Sequence, residues 1–218
     1  MTPLTRRVVL GGLGVFFAVG AIGHLVPGFR PWMLALTPWF LWLAGVVVFV
    51  AVVKASKKRA SLFCWVATYW VVTFTLEVVG VSTGWVFGPY YYQEVLGTRL
   101  WGVPPVIGWN WVLIILGIQT SVCLLLPRFP EVARIAVVAL ACVGFDALLE
   151  PVAMGLGYWA WDRGAVPVQN YVAWGLIGAL GAWWANRFKS LPVEPVSGWY
   201  VGFQVVFFIV VGIGGVPR

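Results

Sequence analysis

The sequence predicts an all-α fold, a polytopic transmembrane helical bundle of about seven spans. Three observations carry that expectation. The first is composition: 61% of the 218 residues are hydrophobic and only 10% are charged, where a soluble domain carries about 25% charged residues. The second is the length of the apolar runs. A span needs about 20 apolar residues, and seven runs qualify, near 8–26, 32–53, 61–83, 103–126, 134–158, 171–186 and 198–215. The third is the placement of the basic residues. The net charge of +7 would suit a nucleic-acid partner, but Lys and Arg fall in short clusters between the apolar runs, as topology signals do. No nucleic-acid partner is expected, and membrane lipid is the expected surrounding. The length suits one transmembrane domain over 1–218.

The first run follows Thr5-Arg6-Arg7, which resembles a twin-arginine export signal. It is longer than a signal core and lacks an Ala-x-Ala site, so a retained helix is expected. With the N-terminus inside, Arg6, Arg7, Lys54, Lys57, Lys58, Arg59, Arg128, Arg134, Arg187 and Lys189 fall on the inner side. Only Arg30, Arg99, Arg163 and Arg218 fall outside. An N-in orientation follows from that imbalance. Lys57-Lys58-Arg59 can also meet anionic head groups. Cys64, Cys123 and Cys142 lie inside apolar runs without metal-ligand spacing, and His24 is the one histidine. No metal site is expected, and the single histidine argues against a His-ligated di-iron centre, which would need several. His24 itself reads as a helix-end residue.

The fifth run contains Asp146 and Glu150, followed by Pro151. Carboxylates four residues apart share one helix face. A charge at mid-bilayer costs roughly 2.5–3.5 kcal/mol even on lenient insertion scales, so such residues mark functional sites. Pro151 removes a donor to Ala147 and should kink the helix. Glu77, late in the third run, is a third intramembrane acid, and snorkelling to the interface is its plainer reading. Asn110, between Trp109 and Trp111, could orient a carboxyl group or a water, or pair two helices. In the N-in frame Glu77, Asn110, Asp146, Glu150 and Asn170 all fall in the middle or outer half of the bilayer. The two longest loops, 85–102 and 159–170, lie on that same side. A site between helices, roofed by two aromatic loops, is the economical arrangement.

Those loops carry the remaining candidates. The first reads Thr83-Gly84-Trp85-Val86-Phe87-Gly88-Pro89-Tyr90-Tyr91-Tyr92, where Gly84 and Gly88 permit sharp turns. Trp85, Phe87, Tyr90 and Tyr92 could form a binding surface or an interfacial aromatic belt. The second contains Trp159 and Trp161, solvated Asp162 and Arg163, and then Val166-Pro167, with Asn170, Tyr171 and Trp174 opening the sixth run. Asn170-Tyr171 could cap that helix.

Taken together, Glu77-x-x-Gly80-x-x-Thr83-Gly84-x-x-Phe87-Gly88-x-Tyr90-x-Tyr92, Asp146-x-x-x-Glu150-Pro151, and Gly157-x-Trp159-x-Trp161 with Val166-Pro167-x-x-Asn170-Tyr171-x-x-Trp174 resemble the membrane carotenoid-biosynthesis family that includes the carotenoid hydratases. The resemblance covers about residues 60–190. Glu150 stands where the pattern has Asp before Pro, one methylene longer. The resemblance implies a lipophilic acyclic carotenoid as substrate, of lycopene type or a C50 bacterioruberin precursor, with carotenoid-pathway enzymes as partners. It implies an integral membrane location, in the plasma membrane of a prokaryote, and hydration of a terminal C=C as the reaction.

That chemistry needs no redox cofactor, and no cofactor is expected. Protonating the less substituted alkene carbon leaves a tertiary cation, which water captures. A carboxyl group kept from water favours its neutral form, and an ionised neighbour can stabilise the cation and deprotonate the water. Asp146 is the expected donor, with Glu77 and Glu150 as base or cation stabiliser, and the aromatic rings offer π faces. Three other readings share these residues: a carotenoid cyclase or isomerase beginning with the same protonation, a proton-coupled transporter, and a non-catalytic carotenoid-binding protein. No matching half to the Asp146 segment supports the transporter.

Overall fold

A computed structural model describes residues 1–189 and 191–215, so Arg218, counted in the topology above, lies outside the described residues. Seven helices follow in order: α1 (Pro3–Leu25), α2 (Arg30–Ala55), α3 (Arg59–Thr83), α4 (Pro105–Leu125), α5 (Glu131–Gly155), α6 (Val168–Phe188) and α7 (Pro195–Ile213). Six of them are long and apolar enough to cross a membrane. The exception is α6, which carries Gln169, Asn170, Asn186 and Arg187. The chain is an all-α helical bundle, as its composition predicts.

The hub is α4. Between residues 106 and 120 every residue but Asn110 is buried, the mark of a helix that is apolar all round and enclosed by others. It meets α2, α3, α5, α6 and α7. Helices in lipid gain little from hydrophobic burial against one another, so close contact across small residues matters more. Gly117 of α4 lies directly against Ser197 and Val201 of α7, and Gly178 of α6 against Cys142 of α5. On the other flank, Phe17 of α1 stacks on Phe203 of α7 at 5.9 Å and meets Phe40 of α2 edge-on at 5.0 Å. Pro151 lies inside α5, which continues through it to Gly155.

Two short strands join the helices. β1 (Tyr90–Tyr92) and β2 (Trp159–Trp161) pair antiparallel, with Tyr90 opposite Trp161 and Tyr92 opposite Trp159. The clasp is extended at both ends by bonds from Gln93 N to Tyr158 O and from Asp162 N to Pro89 O, at 3.0 and 3.1 Å. Gly84 and Gly88, at φ +70° and +105°, turn the chain out of α3 and into β1, a backbone region that glycine enters without strain. The two long loops are therefore one small roof over the ends of α3, α5 and α6.

Candidate active site

Strand geometry explains the roof's inner face. Alternate residues of a strand point the same way, so Tyr90, Tyr92, Trp159 and Trp161 are buried together while Tyr91 is exposed. Their rings touch in pairs, Tyr90 with Trp161 at 5.1 Å and Tyr92 with Trp159 at 5.9 Å. Each ring carries a polar tip, and buried tips of this kind seek partners. The strands divide the work. The two hydroxyls of β1 reach α3: Tyr90 and Tyr92 both donate to Glu77 Oε2, the latter at 2.8 Å. The two indoles of β2 reach α5: Trp159 and Trp161 Nε1 donate to Glu150 Oε2 at 2.9 and 2.8 Å. Burial, with the Glu77 carboxylate beside them, pushes both phenols well above their ordinary range, so they remain donors.

Glu77 takes a third bond, from Trp111 Nε1 of α4 to Oε1 at 2.8 Å. It is buried among three donors from two elements, and it does not snorkel to the interface. Asp146 differs. It is 0% exposed, and its Oδ2 accepts one bond, from Asn170 Nδ2 of α6 at 2.5 Å. Its Oδ1 is buried without a partner among the described residues. Asn170 thus serves Asp146, while the cap position of α6 belongs to Pro167, which makes no side-chain cap bond.

The three acids line one cavity of about 400 Å³, within the range of small-molecule sites. Its acid end is walled by the four clasp rings and by Phe87, Asn110 and Asn170, with the rings of Trp111 and Trp174 tilted against each other at 3.9 Å. From there it runs between α1, α2 and α7. Phe16, Val19, Leu36, Trp39 and Leu43 line that end and are also exposed on the outer flank of the bundle. The cavity therefore opens sideways, where lipid surrounds a membrane-spanning bundle.

Two candidates stand apart. Trp85 is 81% exposed, turned outward by the Gly84 bend. Tyr171 follows Asn170 on α6 and so points about 100° away from the face that Asn170 and Trp174 share; neither Trp85 nor Tyr171 lines the cavity. Three lining residues were not singled out from the sequence as site residues. Trp111 was overshadowed by its neighbour Asn110. His24 reads as a helix-end residue, yet it lines the cavity with Nδ1 bonded to Gly20 O at 2.7 Å. Gln204 is the amide of the last apolar run, and its place among apolar residues was the available clue.

The family model described as "Carotenoid biosynthesis protein" matches residues 36–214. The chain belongs to the carotenoid biosynthesis protein family. A curated relative, the bisanhydrobacterioruberin hydratase of Haloarcula japonica, is 31% identical over 178 residues, covering 76% of this chain and 60% of the relative. The chain thus spans less than two thirds of that relative's length. No solved structure matches. In this carotenoid biosynthesis protein the matched region contains all three acids, both clasp strands, Asn170 and Gln204. The α1 wall of the cavity, with Phe16, Val19 and His24, precedes it.

Proposed function

We propose that the chain is a carotenoid hydratase, which adds water to the terminal C=C of an acyclic carotenoid end group. The observation that carries this reading is the unequal bonding of three acids around one apolar cavity. Donors to a carboxylate favour its ionised form. Glu77 has three and Glu150 has two, whereas Asp146 has one and keeps an unpartnered oxygen. Asp146 is then the acid that holds the proton, and Glu77 and Glu150 are the anions.

The reaction is redox-neutral and proceeds without a redox cofactor. The end group, (CH3)2C=CH–, lies against Asp146. Its CH carbon takes the proton, leaving a tertiary cation on the dimethyl carbon. Two fixed carboxylates and a wall of aromatic faces stabilise that charge in a site with little competing water. Glu77 uses both oxygens on its donors and acts as a fixed negative charge. Both donors to Glu150 meet Oε2, which leaves Oε1 to take the proton of the attacking water. Glu150 lies one turn from Asp146 on the same face of α5, and so can return that proton.

The long polyene extends from the acid end through the opening between α1 and α2 into the bilayer. With Arg6, Lys54 and Lys57-Lys58-Arg59 on the cytoplasmic side, the clasp lies on the outer side. Expression in a lycopene-accumulating prokaryote, with mass analysis of the pigments, tests the reading. The expected pigment is heavier by one water for each modified end. New cyclic products of unchanged mass would replace hydration by cyclisation, and unaltered pigment would refute both.

A further inference from the structure

Buried polar atoms are nearly always partnered, yet several that border the acid cavity are not. On α7, Gln204 is 3% exposed, and its Nε2, beside the Tyr200 hydroxyl one turn away, makes no full hydrogen bond among the described residues; Asn110 Oδ1 on α4 and Asp146 Oδ1 on α5 are likewise buried atoms without a partner there. All three residues line the cavity. The helix contacts bring them to one depth. Gly117 of α4 lies against Ser197 and Val201 of α7, and the neighbouring contact of Gly198 with Ser121 shows the two helices to be antiparallel. Counting outward at about 1.5 Å per residue places Asn110 opposite Val206. Phe145 and Val152 of α5 meet Phe208 and Gly212 of α7, so these two run parallel, and the same count places Asp146 opposite residues 206–209. Gln204 is about 3 Å along α7 from the level of Asn110 and about 3–8 Å from that of Asp146, roughly half a turn to one and a half turns.

The chemistry of these atoms is complementary. The Gln204 amide donates, the Asn110 oxygen accepts, and the unpartnered oxygen of Asp146 borders the same cavity. A buried water needs two to four polar partners, and most of the remaining wall is aromatic or aliphatic. We propose that Gln204 and Asn110 hold the water that captures the carbocation, and that they thereby decide between alcohol and alkene as product. The inference rests on the hydratase reading. In the step itself, the O–H bond of Asp146 breaks as the C–H bond forms. The water oxygen then bonds to the dimethyl carbon, and its proton passes to Glu150. Without a held water, the cation loses a proton instead. Loss from the newly protonated carbon regenerates the substrate, and loss from a methyl group gives an isomeric alkene.

The partition is measurable. Membranes containing the wild type, Gln204→Leu or Asn110→Leu are supplied with lycopene in D2O, and alcohol and recovered alkene are weighed by mass spectrometry. Both variants should lower alcohol formation by at least about tenfold, the scale on which misplacing a reactant acts. Deuterium in the recovered alkene should hold or rise, because protonation by Asp146 is untouched, and its retention also shows that the variant is folded. Should Gln204→Leu not accumulate, Gln204→Met keeps the side chain's length and carries the test. Unchanged alcohol formation in the variants overturns the assignment, as does a parallel loss of alcohol and deuterium in folded protein. A wild type that yields neither alcohol nor deuterated alkene refutes the hydratase reading itself, a distinct result.

Discussion

The substitution Asp146→Asn should separate chemistry from architecture. The change is isosteric, and the new amide can still offer its oxygen to Asn170 Nδ2, the hydrogen-bond partner of Asp146 among the described residues. Its nitrogen then occupies the place of Oδ1, which has no partner to lose among the described residues. No described contact is broken, so the folding cost should be smaller than that of a substitution that turns an existing donor against an amide nitrogen. An amide cannot protonate carbon, and a positioned general acid is worth roughly a hundred- to ten-thousand-fold in rate, or about 3–5 kcal/mol of barrier. Glu77→Gln should behave differently. Both oxygens of Glu77 accept, three donors in all. Gln has one oxygen, so at least one donor would face its NH2 group, costing about 1–3 kcal/mol. The assay pairs alcohol formation from lycopene with thermal unfolding of detergent-solubilised protein. Asp146→Asn should lose activity at nearly native stability, and Glu77→Gln should lose both. An Asp146→Asn protein with activity within about tenfold of the wild type, far short of the loss a general acid implies, would refute the assignment of the proton donor.

Further outcomes follow from the same geometry. Trp161→Phe keeps the ring against Tyr90 but removes one of the two donors to Glu150. The lost bond to a charged group is worth about 1.5–3 kcal/mol, so initial rates of alcohol formation should fall roughly tenfold or more, with the clasp still folded. Gly88→Ala would force a side chain into φ +105°, with its Cβ 2.6 Å from Pro167 Cγ. It should lower thermal stability by about 1–3 kcal/mol, read as a shifted unfolding midpoint and accompanied by lost activity as the clasp moves. Gly20→Phe tests the sideways opening. A Cβ at Gly20 meets only Phe207, at 3.8 Å, so packing tolerates it, while a ring there would narrow the α1 side of the cavity. Turnover of lycopene should drop by about tenfold at unchanged stability, and full turnover would disprove the α1–α2 route.

What the sequence disclosed, it disclosed through cost. Asp146, Glu150 and Glu77 stand out because a carboxyl group inside an apolar span is expensive, and the i, i+4 spacing alone puts two of them on one face. The aromatic loops stood out through their Gly and Pro punctuation. The clasp did not, because three-residue strands are too short to show an alternating pattern, and their pairing joins segments nearly seventy residues apart. That pairing is what directs two hydroxyls to one acid and two indoles to the other. Asn170 was ambiguous for a related reason: an Asn at a helix start serves equally as a cap or as a long-range donor, and only the position of α5 decides. The wall made by α1, α2 and α7 was illegible because nearly uniform apolar runs give no phase from which to choose a face. Trp85 and Tyr171 lie outside the cavity lining because a motif marks a neighbourhood, whereas a single turn of backbone decides which of its rings look inward.

The claim beneath all of this is that water is the co-substrate and that a carboxylic acid begins the reaction. Product formed in water enriched in oxygen-18 tests it most directly. The tertiary alcohol should carry the heavy isotope in its hydroxyl in proportion to the enrichment of the solvent. An alcohol whose oxygen does not follow the solvent would contradict it.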